Sequence, residues 1–411
     1  MATEGGVVRG LRNVEGTLYA VIGSSLYRVS STGAKTLLGD IPGDGRVSMA
    51  HNQITGGNEL VIVNGSQGFV YNTSNGVFTE IDDESYEGGV IADYLASYII
   101  QFDPSRRYWF HSDLADAKQY ISLDRYEGES APDLIVSLMV DHGELWLFNE
   151  RTIEIFINSP TESAAFQRSS GSSIEVGCAG AYTPAKTDNG VFWLGNDGIF
   201  YRANGYNPTR ISTHAIEQAI QGLDWSQCYS VVWEDKGHKV VYWTFPDGMT
   251  WGYDVATGLW HRRKSAGYNN WRVNHLVRYN NKWIAGDAYS SNLYVLDWDS
   301  VTDNGDEIER YRVTAVTHAN QNRFRVDGVE LVCSVGTSAL GSDDYTVELS
   351  WSDDGGYNWS DWHPRSLGAV GDYLRRCLWR RLGYARQRVW RVRVTSPVKC
   401  DLIAASASMQ G

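Results

Sequence analysis

Short apolar runs that alternate with polar residues and end in tight turns recur through the first 300 residues, and this recurrence constrains the fold most. Asn64-Gly65 separates two such runs, and Asn-Gly favours a two-residue hairpin turn because both positions need positive φ. Six units of this kind follow one another at intervals of roughly 40 to 60 residues, a spacing typical of propeller blades. The units are Gly16–Ile41, Asn58–Ile81, Ser137–Asn158, Asn189–Ser212, Cys228–Arg263 and His275–Asp299.

These units predict an all-β fold, with a β-propeller of about six blades over residues 1–300. A β-sandwich or a β-helix also contains short alternating strands, but radial closure protects so many strand edges best. A short helical insertion is expected near 212–223, where Ser212 and Thr213 can cap an apolar face. The acidic, turn-rich segment 299–309 marks a boundary, and residues 301–411 are predicted to form a smaller β-sandwich-like domain.

Charge and cysteine usage narrow the functional classes. A net charge of −13 argues against general nucleic-acid binding, although it leaves room for a local basic face. Five cysteines, odd in number and never in C-x-x-C spacing, indicate free thiols in a reducing compartment. We expect no signal peptide and no membrane insertion, because no apolar run approaches the eighteen residues of a membrane span.

One motif suggests an enzyme at first sight. The stretch SDDGGYNW, residues 352–359, resembles the Asp-box of sialidases, S-x-D-x-G-x-T-W, with Asn358 where Thr is usual. In sialidase-like propellers this box is a hairpin device away from the active site. We therefore interpret Ser352, Asp354, Gly356 and Trp359 as a structural hairpin, and a catalytic role as the weaker alternative.

No other pattern indicates catalysis or ligand binding. The acidic Asp353-Asp354 turn lacks the spacing of a calcium loop, which needs six or more oxygen ligands. The nine histidines include no H-E-x-x-H, and neither a nucleophile elbow nor a phosphate-binding loop occurs. We predict no catalytic residues, no metal site and no cofactor.

A strongly basic segment lies near the carboxyl terminus. Nine cations and no acidic residue fall between Arg375 and Lys399, within a chain that is acidic overall. The segment is expected to contact either acidic residues of a neighbouring subunit or phosphate, because guanidinium groups bind both bidentately. The sequence favours the protein contact over DNA, since no nucleic-acid motif frames the arginines. The candidate contact residues are Arg375, Arg376, Arg380, Arg381, Arg388, Arg391 and Arg393.

Five stretches in collinear order resemble the packaged-DNA stabilisation, or tail-hub, proteins of short-tailed phages. They are GDGRVSMAH (43–51), SAPDLIVSLMVDHGELWLFNERTIEIF (130–156), GCAGAYTPAKTD (177–188), TRISTHAIEQAI (209–220) and LWRRLGYARQRVWRVRVTSPVKC (378–400). One departure is Ile155, where the family pattern T-I-E-Y-F has Tyr. The resemblance also implies a further amino-terminal segment before the first hairpin.

The resemblance implies a structural protein of the phage tail without enzymatic activity. Such proteins form a ring, usually a hexamer, below the portal and its adaptor. They close the DNA channel after packaging, retain the genome, and support the tail needle and tailspikes. The chain is then expected in the virion tail, after assembly in the host cytoplasm, with packaged DNA as an alternative contact.

Two hypotheses remain open from the sequence. If the chain forms a ring, the basic segment could meet an acidic patch such as Asp82-Asp83-Glu84 on the next subunit. The alternative function is a carbohydrate-binding or glycosidase-like propeller, which the Asp-box and the abundant Trp and Tyr would suit.

Overall fold

The computed structural model describes residues 5–54, 56–128, 132–159, 164–320, 322–336 and 345–411. Strands dominate this part of the chain. It divides into two compact units, Met1–Leu296 and Asp297–Gly411. The fold is a β-propeller followed by a β-sandwich, as the sequence predicted.

Each sheet of the amino-terminal unit is an antiparallel meander of consecutive strands. The first two sheets are β1 (Val8–Val14), β2 (Thr17–Ile22), β3 (Ser25–Val29), β4 (Lys35–Asp40), and β5 (Ser48–Asn52), β6 (Glu59–Val63), β7 (Gly68–Asn72), β8 (Phe78–Glu80). The next two are β9 (Ala92–Leu95), β10 (Tyr98–Phe102), β11 (Tyr108–Asp113), β12 (Asp116–Glu127), and β13 (Ile135–Asp141), β14 (Glu144–Asn149), β15 (Ile153–Asn158), β16 (Phe166–Arg168). The fifth and sixth are β17 (Ala185–Thr187), β18 (Gly190–Leu194), β19 (Phe200–Asn204), β20 (Asn207–Arg210), and β21 (Tyr229–Asp235), β22 (His238–Thr244), β23 (Thr250–Asp254), β24 (Leu259–Arg263). The seventh has three strands, β25 (Val273–Tyr279), β26 (Lys282–Asp287) and β27 (Leu293–Leu296).

The described residues thus form seven blades, one more than the six hairpin units seen in the sequence. The additional blade is the third sheet, β9 to β12. Its turns at Ala96-Ser97 and at Ala115 adopt positive φ without Gly or Asn, so the usual turn signal is missing. β12 is also long and mostly exposed, and its polar sequence hides the strand.

Buried side chains form one cluster between each pair of neighbouring blades. The strand β6 shows how, because it is buried along its whole length. Leu60 and Ile62 pack against the first sheet, whereas Val61 and Val63 pack against the third. The continuous apolar run therefore reflects a strand with both faces covered, since side chains alternate across a strand.

The ring closes between the seventh and the first sheet. Leu18, Ala20 and Ile22 pack against apolar residues of β25 and β26. The Asn274 Nδ2 donates to the carbonyl oxygen of Val8 at 2.5 Å. A Cβ atom at Gly286 would lie 2.6 Å from Val8, so this close approach of blades requires glycine.

Arg46, which precedes β5, ties together distant parts of the ring. Its guanidinium lies 5.0 Å from the ring centroid of Tyr182 and 4.9 Å from that of Tyr229. Its Nη1 donates to the carbonyl oxygen of Asn274 at 2.8 Å. Burial, followed by the nearby Arg46 charge, lowers the pKa of His275 well below its usual value. One arginine thus contacts residues of the fifth, sixth and seventh blade regions.

A short helix, α1 (His214–Ala219), lies between the fifth and sixth sheets and buries Ile216 between them. A 3₁₀ turn at Trp225–Gln227 follows it. Across the described ranges, helices are too short and too polar to span a membrane.

The carboxyl-terminal unit begins with a small hairpin and continues as two sheets around one apolar core. The hairpin strands are β28 (Thr302–Asp303) and β29 (Asp306–Glu307). One sheet contains β30 (Arg310–Val313), β31 (Thr317–His318), β33 (Thr346–Ser352), β34 (His363–Ser366) and β37 (Gln387–Val394). The other is built on β32 (Phe324–Cys333), with β35 (Cys377–Arg380) and β36 (Tyr384–Ala385) on one edge and β38 (Leu402–Gln410) on the other.

The Asp-box forms the turn between β33 and β34. The carboxylate of Asp354 accepts from the backbone N–H of Asn358 at 2.9 Å and from the hydroxyl of Ser352 at 2.7 Å. The hydroxyl oxygen of Ser352 accepts from the N–H of Gly356 at 2.8 Å, and the Trp359 indole N–H donates to the Gly356 carbonyl at 2.9 Å. Gly356 has φ +104, a conformation that side chains rarely adopt. The hairpin device therefore has a complete set of internal partners.

Arg46→Ala should lower the free energy of unfolding by about 3 kcal/mol, because two cation–π contacts and a charged hydrogen bond are lost. Urea denaturation of the full chain, followed by intrinsic fluorescence, measures this change. The free energy of unfolding of Arg46→Lys should lie between those of the alanine variant and wild type, since Lys keeps the charge but not the planar stacking. The exposed Arg28→Ala serves as control and should change stability by less than about 0.5 kcal/mol.

Asp354→Ala should lower the thermal midpoint at pH 7 and lose this effect in acid. Hydrogen bonds from Asn358 and then Ser352 lower the pKa of Asp354 to about 2. A carboxylate with a depressed folded-state pKa stabilises the fold above its unfolded pKa of about 4 and loses this contribution as pH falls through about 2. Calorimetry on the full chain between pH 7 and pH 2 tests this. Asp361→Ala, which removes another carboxylate of the same hairpin, is the matched control, and equal behaviour of the two variants would contradict the assignment.

Candidate functional site

The last part of the basic segment, β37, and the Asp-box hairpin lie side by side in one sheet of the carboxyl-terminal unit, whereas β35, which ends at Arg380, belongs to the other sheet. β33 leads into the hairpin and pairs antiparallel with β37, which carries three of the arginines. Ser350 lies opposite Arg391, and Glu348 lies opposite Arg393. The arginines of β37 and the Asp-box hairpin therefore belong to one sheet.

Two arginines of this surface stack on tryptophans. The Arg391 guanidinium lies 4.2 Å from the ring centroid of Trp359 and 4.3 Å from that of Trp362. Arg393 lies 4.1 Å from the same Trp362 ring, and its Nη2 pairs with Glu348 at 2.7 Å. This packing satisfies much of the positive charge internally.

Arg388 belongs to the interior. Its side chain is 2% exposed, and both of its outer nitrogens are used. Nε and Nη2 donate to the carboxylate of Asp353 at 2.5 and 2.8 Å, and Nη1 donates to the Leu382 carbonyl at 2.6 Å. Arg388 is therefore not accessible to a neighbouring subunit or to DNA. The Asp353 carboxylate, part of the turn considered as a calcium loop, pairs with this arginine.

Arg375 and Arg376 are exposed but already have acidic neighbours. Arg376 forms a bidentate pair with Glu330, both distances being 2.6 Å. This pair raises the pKa of Arg376 and lowers that of Glu330. Arg375 lies 3.4 Å from Asp372.

Three other arginines are exposed and lack a side-chain partner among the residues that the structure describes: Arg380, Arg381 and Arg386. We name these three the basic corner. Arg380 ends β35, Arg381 follows it, and Arg386 lies between β36 and β37. Arg381, which follows β35, has a left-handed backbone conformation with φ +60. The exposed Tyr384, over which Arg323 stacks, borders the corner.

The basic corner can bind a carboxylate or a phosphate group, because exposed guanidinium groups offer paired donors to either. Arg386 was seen in the basic segment but was not among the seven candidate contact residues. Its place between β36 and β37 is known only from the structure. Conversely, the stacking of Trp359 and Trp362 on arginines could not be seen from the sequence.

The acidic patch considered as a contact on the next subunit, Asp82-Asp83-Glu84, is only partly available. Asp83 accepts from the backbone N–H of Ser85 at 2.8 Å and from that of Tyr120 at 3.3 Å. Asp82 and Glu84 are exposed. The patch therefore offers two carboxylates.

One cavity brings two carboxylates together in the propeller. It measures 440 Å³ and is lined by Asp197, His214, Glu217 and Trp225 among others. Asp197 accepts from the Tyr201 hydroxyl at 2.6 Å, and Glu217 accepts from Ser212 at 2.6 Å and pairs with Arg210. These carboxylates hold the fold around α1, so the cavity adds nothing to the glycosidase alternative. Within the described ranges, no group of three or more His, Cys, Asp or Glu residues is arranged to hold a metal ion.

Comparisons with known proteins follow the same division into two units. A family model described as "Bacteriophage P22 Gp10, beta-propeller" matches residues 1–301, and one described as "Bacteriophage P22 Gp10, beta-sandwich" matches residues 309–410. The chain is 25% identical over 427 residues to the "Tail hub protein gp10" of Salmonella phage P22, covering 96% of this chain and 86% of that protein.

Solved structures show weaker likeness. The computationally designed Ika8 protein is 14% identical, with a TM-score of 0.42, and the match covers 70% of this chain and 82% of that one. The extracellular domain of the putative one component system BT4673 from B. thetaiotaomicron is 9% identical, with a TM-score of 0.48, over 79% of this chain and 43% of that one. Neither likeness is strong enough to carry an argument. The two family models together span almost the whole chain, which therefore belongs to the bacteriophage P22 Gp10 family.

Proposed function

We propose that this chain is a structural subunit of a phage tail, namely a tail hub that assembles as a ring. The observation that carries the proposal is the relative named as a tail hub protein, which aligns with 96% of the chain. Both units of the fold are matched in the same order by the family models. The chain would accordingly reside in the virion tail, after assembly in the host cytoplasm.

The finer roles belong to the same proposal. The ring, a hexamer, attaches below the portal and adaptor, closes the DNA channel after packaging and retains the genome. It also supports attachment of the tail needle and the tailspikes, and it has no enzymatic activity. Seven blades closed by direct packing make the stiff scaffold that such a load-carrying part needs.

The contact between ring subunits is proposed to use the basic corner. A head-to-tail ring joins two different surfaces of each subunit, so a cationic surface needs an acidic one on the next copy. Arg380, Arg381 and Arg386 have no internal side-chain partner in the described part of the chain, unlike Arg376, Arg388 and Arg393. The exposed Asp82 and Glu84 supply the complementary charge.

Protein contact is favoured over DNA contact for this corner. The chain carries a net charge of −13, which repels phosphate at long range, whereas a local patch can still find a carboxylate on another subunit. Packaged DNA is the second possible partner, and it makes a different experimental prediction because binding to DNA depends steeply on salt.

Arg380→Glu combined with Arg381→Glu should weaken ring assembly at least about tenfold, because attraction between the two surfaces becomes repulsion. Light scattering measures this assembly as the molar mass of the chain, alone and mixed with a portal–adaptor assembly. Wild type should pass from monomer to a stoichiometric ring on that assembly. A wild-type chain that never binds the assembly would overturn the tail-hub proposal.

A matched control separates the local contact from net charge. Arg28→Glu with Arg107→Glu changes the net charge equally, at exposed arginines of the propeller. This control should assemble as wild type does. If the Arg380/Arg381 variant assembles normally but loses salt-sensitive binding to duplex DNA, the corner contacts DNA and the subunit-contact part of the proposal fails.

A further inference from the structure

Three of the five cysteines meet within the carboxyl-terminal sandwich, although they are widely spaced in the sequence. Cys333 ends β32, Cys377 begins β35, and Cys400 precedes β38. The Sγ atoms of Cys333 and Cys377 lie 3.8 Å apart. Cys400 packs against the same apolar core, with its Sγ 3.9 Å from the carbonyl oxygen of Ser334, the residue that follows Cys333. All three are free thiols. Cys333 lies between the strand of Cys377 and the segment of Cys400.

The strand register explains this meeting. β32 lies between β35 and β38, so Cys333 has a neighbouring strand on either side. Cys377 pairs with Leu331, two residues before Cys333. Leu402, two residues after Cys400, pairs with Cys333 itself. Leu331 and Cys333 are two residues apart on β32, so Cys377, opposite Leu331, shares the face of Cys333. Cys400 packs against the same apolar core, which places all three thiols on the core side of the sheet.

The three thiols differ in exposure. Cys333 and Cys377 are buried, whereas Cys400 is partly exposed. The hydrogen bond from Cys333, and next the Arg310 guanidinium, act against burial and lower the pKa of Cys400. A thiol with more thiolate character at the surface is the one that a dissolved oxidant meets first.

The two propeller cysteines offer a contrast within the same chain. Cys178 is buried, and its thiol contacts the Thr183 hydroxyl at 3.1 Å. Burial raises the pKa of Cys178 to about 11 and that of Cys228 well above its usual value. These two thiols are therefore protected internal controls.

We propose that Cys333, Cys377 and Cys400 form a thiol-oxidation site that takes a low-molecular-weight disulfide as its oxidant. The Cys400 thiolate attacks one sulfur of the oxidant and releases one small thiol, which leaves a mixed disulfide on Cys400. Cys333 Sγ then attacks Cys400 Sγ, and its proton passes to the departing sulfur, which leaves as the second small thiol. Two protein thiols lose two electrons and two protons, and the oxidant is reduced to two thiols.

Cys377 can then undergo thiol–disulfide exchange within the site. Its thiolate can attack Cys333 Sγ and release Cys400, because it lies beside that sulfur. Every intramolecular product therefore contains Cys333. A metal site is not proposed, since no described group of this kind has a metal-binding arrangement.

The bond between Cys333 and Cys400 would fix the start of β38. All nine residues of β38 are exposed, and the strand pairs with β32 alone in the described part of the chain. In surroundings more oxidising than the cytoplasm, this disulfide would anchor the last strand, β38, to β32. This inference does not depend on the proposed function, because its test uses the isolated chain and no assembly.

The experiment treats the native full chain with oxidised glutathione, alkylates the remaining thiols and maps the disulfides by mass spectrometry. We expect one intramolecular disulfide that contains Cys333, with Cys178 and Cys228 alkylated only after denaturation. Amide hydrogen exchange in β38 should slow about tenfold in the fraction linked through Cys400. A native chain that keeps five reduced thiols, or a bond that omits Cys333, would overturn the proposal.

Two variants make the outcome specific. Cys400→Ser, at the partly exposed position, should slow oxidation of the remaining pair about tenfold, because the entry thiol is gone. Cys333→Ser should stop at a mixed disulfide on Cys400 without any internal bond, and Cys333→Ala repeats the test without a buried hydroxyl. An internal bond between Cys377 and Cys400 at the wild-type rate in these Cys333 variants would count against the assignment. Near-ultraviolet circular dichroism checks that each variant is folded.

Discussion

Closure of the first blade against the seventh is the constraint on which the propeller depends. In the described residues every propeller sheet is made of consecutive strands, so no strand is shared across the junction. Packing of β1 and β2 against β25 and β26 closes the ring, with Asn274 bonded to the Val8 carbonyl. Arg46 adds a second tie, because it reaches residues of three other blade regions. Loss of the packing between the first and seventh blades would expose apolar residues of both sheets.

The carboxyl-terminal sandwich carries many arginines on a small β fold and gives several of them internal contacts. Arg388 is buried by a bidentate pair with Asp353, and Arg391 and Arg393 lie on tryptophan rings. Guanidinium groups suit this task because they stack and form paired hydrogen bonds while remaining charged. What stays free after this packing is the basic corner, which makes it a sharper candidate contact than the segment as a whole.

Several features of the fold could be predicted because they depend on local sequence. Alternating apolar runs identified six of the seven blades, and the Asp-box identified a capped hairpin whose partners the structure supplies. The two-residue turn predicted at Asn64-Gly65 was wrong, because four residues connect β6 to β7 and Gly65 has positive φ while Asn64 does not. The third blade was missed because its turns lack the residues that usually permit positive φ. The collinear segments also indicated the family, which the matches over residues 1–301 and 309–410 establish.

The sequence by itself determined the all-β class, the order of propeller and sandwich, and the family, because strand periodicity and turn chemistry are local properties. Tertiary structure alone decided which arginines remain free and which thiols meet. The pairing of Arg388 with Asp353 and the contact of Cys333 with Cys377 join residues 35 and 44 positions apart. Strand register fixes such meetings, and a shift of one residue would turn each side chain to the opposite face. No local pattern encodes that register, so only the folded chain shows it.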